Sequence, residues 1–528
     1  MRILVTDRQS KLGKALTQEL ARQHDVRTLD LTGSSATFVG DPRDRDVAAR
    51  ATADVDAIVH LAPLTLEGAS PVDVLDAATR GTYNLITTAA KASRFVLIST
   101  LRLLEAYPMA WRVTEQWAPR PTTGVADLAP FLAELTTREV ARVAPLKAIA
   151  LRLGEVVDDA DVAGRRADPR WLHVEDAVQA VERALAYDEP SPVHAEPVFE
   201  PPRHGWWVFH IPGGGPRTRF PLALAGQPPF GYQPKHDLSS AVSLPLPEPT
   251  ERRIQRLSDR AGGAARKVVI YGAGGPLAAV TTEALAHDHV LRLTDVRPME
   301  QIVADHKPQS EGAPFPRVLG APHESRVVDV ANTEEVIEAA RGMDAIINCT
   351  VVRPDPVQAF RVNTLGAYNV MRAAVTCGIR RVVHTGPQQV TLPYPAGYWY
   401  DFNLSSDVPS RPGAHLYILT KFLGQEICRI FAEEYDLEVP TLLFSSFVNP
   451  SNPAPEPMGA FAFSISWEDS GQAMRQALRA PSFPRPFEAM HIVADLPHGK
   501  YDNAKAKALL KWQPRDRLEA HWRRASIE

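Results

Sequence analysis

The two halves of this 528-residue chain follow one plan, and that repeat limits its fold more than any other feature. MRILVTDRQSKLGKAL at the start matches RKVVIYGAGGPLAAV from Arg266; each reads strand, turn, helix. Asp30 in VRTLDL sits where Asp295 sits in VLRLTDV. VGDPRD with DVDAIVHLAP parallels VVDVAN with GMDAIINCTV. ATRGTYNLITTAAKASRFVLIST parallels NTLGAYNVMRAAVTCGIRRVVHT, each with G-x-Y-N on a helix before a strand. Neighbouring parallel strands can only be joined by long crossovers, so such alternation implies parallel sheets with helices on both faces. The expectation is an α/β chain of two tandem doubly wound domains, 1–216 and 266–528. Between them, 217–265 reads as a linker: proline-rich and aperiodic to about residue 250, then a short charged helix, 251–260, and an Ala-Gly-Gly break.

The opening of the second repeat, Lys267 to Arg297, has a chemistry of its own. Val268–Tyr271 is a buried strand, Gly272-Ala273-Gly274-Gly275 a turn, and a helical pattern follows to about Ala286. A second apolar run, Val290–Leu293, ends on Asp295, 23 residues past Gly272. Strand, glycine turn, helix, strand and acid open a Rossmann-like dinucleotide-binding unit. Glycines let the backbone approach a pyrophosphate, and a helix N-terminus offers free N–H groups. Asp295 can accept from ribose hydroxyls and would repel a 2′-phosphate, which favours NAD over NADP. The spacing is G-x-x-G-x-x-A (Gly272, Gly275, Ala278). In the first repeat Asp7 and Ser10 stand where these glycines are, and only Gly13 remains, so that turn is damaged as a phosphate cradle.

Tyr417 and Lys421 form Y-x-x-x-K on a predicted helix, 413–435, where i,i+4 spacing puts both on one face. A neighbouring ammonium favours a phenolate, so the pair suits proton transfer to or from a hydroxyl or carbonyl while hydride moves to or from a nicotinamide. The stretch 386–412 reads as a loop with an aromatic cluster (Tyr394, Tyr398, Trp399, Tyr400, Phe402), suited to a substrate lid or to ordinary surface packing. A net charge of −4 argues against nucleic acid or an anionic membrane as partner. Cys349, Cys377 and Cys428 show no C-x-x-C spacing; they suggest a reducing compartment, with no zinc site and no other metal expected. With no signal-peptide pattern and no apolar run of 18 residues, the expected location is cytoplasmic.

These residues resemble the extended short-chain dehydrogenase/reductases, the NAD-dependent epimerase/dehydratase group, in two tandem copies. The second copy, through 487–516 and SWEDSGQAMRQALRAP, is similar to a uronate-dehydrogenase-like branch. The resemblance implies NAD held by Gly272, Gly274, Gly275, Leu277, Asp295, Asp329, Val330, Asn363 and Lys421, with Asn363 supporting Lys421 through water. It implies catalysis by Tyr417 and Lys421 on a sugar, sugar acid or nucleotide-sugar. The family's third catalytic group is a Ser or Thr, but Pro387 stands at that position, and Thr385, two residues earlier, is the available hydroxyl. Gln388-Gln389 replaces the branch's Asn-His, and Leu443 stands where it has a carboxylate-binding arginine, which argues against a uronate. In the first copy the matching positions are Pro130 and Glu134 for Tyr and Lys, Leu101 for Ser and Ala78 for Asn, so this copy reads as a family fold without an active site. Two functions stay open: an oxidoreductase or epimerase whose first copy is a structural partner, or an NAD-binding scaffold or sensor with lapsed catalysis. In the first, helices 356–377 and 413–435 would pack on 72–92 and 127–143 as an intramolecular pseudo-dimer.

Overall fold

A computed structural model of the chain describes residues 1–33, 35–61, 68–108, 110–165, 168–189, 205–215, 219–238, 255–257, 266–307, 312–391, 403–451, 463–496 and 499–518. It divides into two compact units, Met1–Arg253 and Ile254–Glu528. The sheet of the first is built from β1 (Arg2–Thr6), β2 (Asp25–Asp30), β3 (Phe38–Val39), β4 (Ala57–Leu61), β5 (Arg94–Thr100), β6 (Lys147–Leu153) and β7 (Gly205–Ile211). That of the second comprises β8 (Lys267–Tyr271), β9 (Val290–Asp295), β10 (Glu324–Val327), β11 (Ala345–Asn348), β12 (Arg381–Pro387), β13 (Val439–Phe444) and β14 (Phe487–His491). The strand orders are β3-β2-β1-β4-β5-β6-β7 and β10-β9-β8-β11-β12-β13-β14, parallel throughout. Both are doubly wound, Rossmann-like sheets, as the repeat demands.

The central strands are apolar along their whole length because helices cover both faces. Ile3, Val5, Val59, Val96 and Ile149 anchor the first core; Val268, Ile270, Ile347, Val383 and Leu442 anchor the second. The repeated G-x-Y-N has a physical reason in each unit. Asn84 donates to the carbonyls of Pro42 and Arg43, and Asn369 to that of Val330, tying the helix to the loop beyond the third strand. A Cβ on Gly366 would lie 2.9 Å from Val330 Cγ1. Just before that motif both helices widen into a π-turn, Ala77–Gly81 and Phe360–Leu365, a local defect that recurs at functional sites.

Part of the stretch read as a linker behaves otherwise. Phe220, Ala225, Phe230 and Tyr232 are buried, and the last three join the first unit's core. Tyr232 donates its hydroxyl to the Pro212 carbonyl. An aperiodic, proline-rich sequence hides such packing because the apolar anchors have no repeat spacing. Most of the proposed helix 251–260 and the aromatic cluster at 394–402 lie outside the described residues.

Candidate functional site

A cleft of about 640 Å³ opens at the C-terminal ends of β8, β9, β11, β12 and β13. It lies where the strand order reverses between β8 and β11, the place where open α/β sheets bind ligands. Its lining brings together Gly272, Gly274, Gly275, Leu277, Asp295, Thr385, Tyr417 and Lys421. Residues 145 positions apart in sequence thus share one cavity.

The turn is shaped as a cradle. Gly272 has φ +78°, and a Cβ there would come within 2.9 Å of Thr350 backbone atoms, so only glycine fits. Gly275 caps the helix Pro276–Leu285 without any side-chain hydrogen bond, and Pro276 at the first position has no N–H to lose. The remaining orphan N–H groups face the cleft with the helix's partial positive charge, a fit for a diphosphate. Asp295 Oδ2 accepts from Gly274 N–H at 2.9 Å and Oδ1 from Val296 N–H at 2.8 Å. The carboxylate is therefore oriented at the cleft edge, with lone pairs left for ribose hydroxyls.

The helix Leu416–Glu434 supplies Tyr417 and Lys421. Gly424 lets it press against the π-turn: a Cβ there would sit 2.2 Å from the Asn363 carbonyl. Lys421 is buried, and Nζ donates to the Thr350 carbonyl at 3.2 Å. Burial without a carboxylate pushes its ammonium down to about 8. The i,i+4 spacing predicts that Lys421 loosens the Tyr417 proton. Instead burial raises the phenol, and the opposing charge comes from Arg353, whose Cζ stands 5.1 Å from the ring centroid. Arg353 lines the cleft and has no carboxylate partner among the described residues. Nothing in VVRPDP marks its one arginine as functional. Cys349 also lines the cleft, its thiol pushed up to about 12 by burial, which makes it inert filler.

Three expected cofactor residues are absent from the cleft lining. Asn363 donates through Nδ2 to the Val352 carbonyl (2.7 Å) and to Thr420 Oγ1 (2.9 Å), and accepts from Val352 N–H (3.0 Å). Both its donor hydrogens are spent, so it fastens the loop after β11 to the Tyr417 helix. Asp329 lies beyond the end of β10; it accepts from Ala331 N–H and faces Arg361 at 3.4 Å. Val330 packs on Gly366. Thr385 lines the cleft, yet its one hydroxyl hydrogen goes to the Asn348 carbonyl at 2.8 Å. Leu443 is buried against Gly386.

In the first unit the same positions are closed. Asp7 adopts φ +56° where the second unit has glycine. Ser10 Oγ donates to the Asp7 carbonyl and accepts from Gly13 N–H at 3.0 Å, capping the helix that a phosphate would need open. Glu134, matching Lys421, is buried in a two-point ion pair with Arg152 (2.9 and 2.7 Å) and accepts from Ser99 Oγ at 2.6 Å. Strand register corrects one assignment: Thr100 faces Leu153 as Pro387 faces Phe444, so the serine position of the first copy is Thr100, not Leu101. Among the described residues one His/Glu group, His173, Glu175 and His236, brings ligand atoms within 4.8 Å. However, His173 Nδ1 accepts from Glu175 N–H, which puts the ring's proton on Nε2, and the two imidazoles stack 3.7 Å apart. That is a helix cap with a stacked partner.

The sequence profile of the NAD dependent epimerase/dehydratase family matches residues 3–157 and 268–466, one stretch in each unit. A uronate dehydrogenase of Pseudomonas syringae pv. tomato is 25% identical over 48% of this chain and 83% of its own length. An L-arabinose 1-dehydrogenase (NAD(P)(+)) of Haloferax volcanii is 26% identical over 47% of this chain and 96% of its own. The crystal structure of uronate dehydrogenase from Agrobacterium tumefaciens aligns with 48% of this chain and 86% of its own, at 24% identity and a TM-score of 0.40. No helix among the described residues is long and apolar enough to cross a membrane.

Proposed function

Since the chain belongs to the NAD dependent epimerase/dehydratase family, we propose that its second unit is an NAD-dependent oxidoreductase or epimerase acting on a sugar, sugar acid or nucleotide-sugar. The observation that carries this reading is one cleft shared by the open glycine turn, Asp295, Tyr417 and Lys421. Gly272, Gly274, Gly275 and Leu277 would hold the diphosphate and Asp295 the adenosine ribose. NAD, when bound, accepts hydride from a substrate carbon or returns it. Tyr417 takes or gives the hydroxyl proton; the Arg353 charge beside the ring stabilises the phenolate form that burial alone disfavours. Lys421, fixed on the Thr350 carbonyl, would present its remaining N–H donors to the nicotinamide ribose. Asn363 positions both by clamping the helix that carries them.

The first unit is, in this reading, a structural partner that keeps the fold and has lost the site, and an intramolecular pairing of the two units through helices 356–377, 413–435, 72–92 and 127–143 belongs to the same proposal. Cysteine cross-links across those helices would test it; absence of any cross-link would sink it.

A second reading, an NAD-binding scaffold or sensor, draws on Pro387 at the Ser/Thr position and on Thr385's committed hydroxyl. Two measurements separate them. Bound NAD(H) is read by absorbance and fluorescence of the purified protein, and turnover over a panel of sugars and sugar acids is compared with Tyr417→Phe. Turnover that falls by about 10²–10⁴-fold in the variant supports the enzyme. Binding without turnover leaves the scaffold, and no binding removes both.

A further inference from the structure

The oxygen at which Tyr417 exchanges a proton needs a second donor to hold it while charge develops. Pro387 has no hydroxyl, and Thr385 gives its hydrogen to the Asn348 carbonyl. The neighbouring strand offers another source. Pro387 of β12 faces Phe444 of β13, and the next residue, Ser445, lines the same cleft as Tyr417 and Lys421. Gln389 Nε2 donates to Ser445 Oγ at 2.7 Å. That oxygen is therefore the acceptor, and its own hydrogen has no acceptor among the described residues.

The first unit shows the reciprocal arrangement. Thr100, at the position of Pro387, keeps its hydroxyl, and across the ladder Gly154 stands where Ser445 is. A Cβ on Gly154 would come 2.5 Å from the Arg170 carbonyl, so that unit has no room for a serine there. One unit carries its hydroxyl on the fifth strand of the sheet, the other just past the end of the sixth. Gln389 belongs to the short turn Gln388–Thr391 immediately after β12. The change at Pro387 and the support of Ser445 thus meet in one stretch of backbone.

We propose that Ser445 is a catalytic hydroxyl of the second unit, supplying the hydrogen bond that Pro387 cannot, and that Gln389 is its positioning residue. The inference rests on the oxidoreductase reading above. Ser445 keeps its proton throughout: it donates a hydrogen bond to the substrate oxygen, while Tyr417 takes or gives the proton that moves.

The test uses the full-length protein, NAD and whichever sugar or sugar acid of the panel is turned over, with NAD affinity measured in parallel by fluorescence. Ser445→Ala should lower kcat by about 10²-fold with NAD affinity unchanged, and Ser445→Thr should keep most of it. Gln389→Leu should lower kcat by a smaller factor without moving KM, and should add little once Ser445 is Ala. Pro387→Ser placed in the Ser445→Ala background should recover at least about tenfold, as expected if a donor is restored at the oxygen. If Ser445→Ala turns over like wild type while Tyr417→Phe is dead, the inference is overturned and the oxidoreductase reading stands. If wild type and Tyr417→Phe are equal on every substrate, the reading fails and takes the inference with it.

Discussion

Residues 7 and 272 hold the same place after the first strand of each sheet and are built in opposite ways. At residue 272 a glycine with φ +78° leaves the helix behind it uncapped and open. At residue 7 an aspartate takes nearly the same backbone shape, φ +56°, and Ser10 closes the helix end with its own side chain. The acids that follow diverge in the same way. Asp295 sits at the cleft edge, whereas Asp30 is buried and its carboxyl is pushed up by desolvation. Further along, Lys421 is buried with a backbone carbonyl as its partner, and its counterpart Glu134 is locked by Arg152. A fold can keep its sheet, its π-turn and its G-x-Y-N while exchanging each ligand-facing group for an internal partner. In the first unit the side chains at these positions bond to one another; in the second, the turn, Asp295 and Lys421 line an open cleft.

The contrast can be broken most sharply by copying one turn into the other. Gly272→Asp places a Cβ against Thr350 and a carboxylate beside the diphosphate; NAD affinity should fall by at least about 100-fold in a fluorescence titration, while the circular dichroism of the sheet persists. Unchanged affinity would mean the nucleotide sits elsewhere. Next, Arg152→Met leaves the buried Glu134 unpaired and should destabilise the first unit by about 3–5 kcal/mol in urea, with most of that regained in Arg152→Met/Glu134→Leu. Loss of NAD binding in either would contradict the assignment of these residues to structure alone.

Lys421 makes a smaller prediction with the opposite sign. Its ammonium is held at about 8 in the fold against 10.5 unfolded. Between those values the unfolded chain binds the extra proton, so the apo second unit gains stability as pH rises from about 8 to 10.5, and the penalty is complete below 8. Lys421→Met should therefore raise the apo melting temperature at pH 7, by roughly 2–3 kcal/mol of stability, and flatten that pH dependence. A melting temperature that falls on substitution would show that the buried amine is better solvated than its surroundings imply. Smallest of all, Asp295→Ser should leave NAD bound within about tenfold and admit NADP, since it removes the charge that repels a 2′-phosphate; equal discrimination before and after would free Asp295 from any role in cofactor choice.

Much of this architecture was legible in the residues. Apolar runs of four to seven separated by amphipathic helices leave little choice but parallel sheets, and the repeat doubled the evidence. Gly272, Asp295, Tyr417 and Lys421 were readable because their chemistry and spacing act together. Arg353 and Ser445 were not, because each is a common residue in a loop whose direction is set only after the strands pair. Asn363 was legible as important but not as a clamp, since its partners Val352 and Thr420 lie 11 and 57 residues away. The packing of Phe230 and Tyr232 was hidden by a composition that also suits linkers. The shift from Leu101 to Thr100 needed strand register, which a gapless comparison of short motifs does not carry.

The central claim is that one unit binds NAD and the other cannot. Isothermal titration of the full-length chain with NAD measures this directly. The account predicts one site per chain, lost in Gly272→Asp and untouched by Ser10→Ala. Two sites per chain, or one site that survives Gly272→Asp, would contradict it.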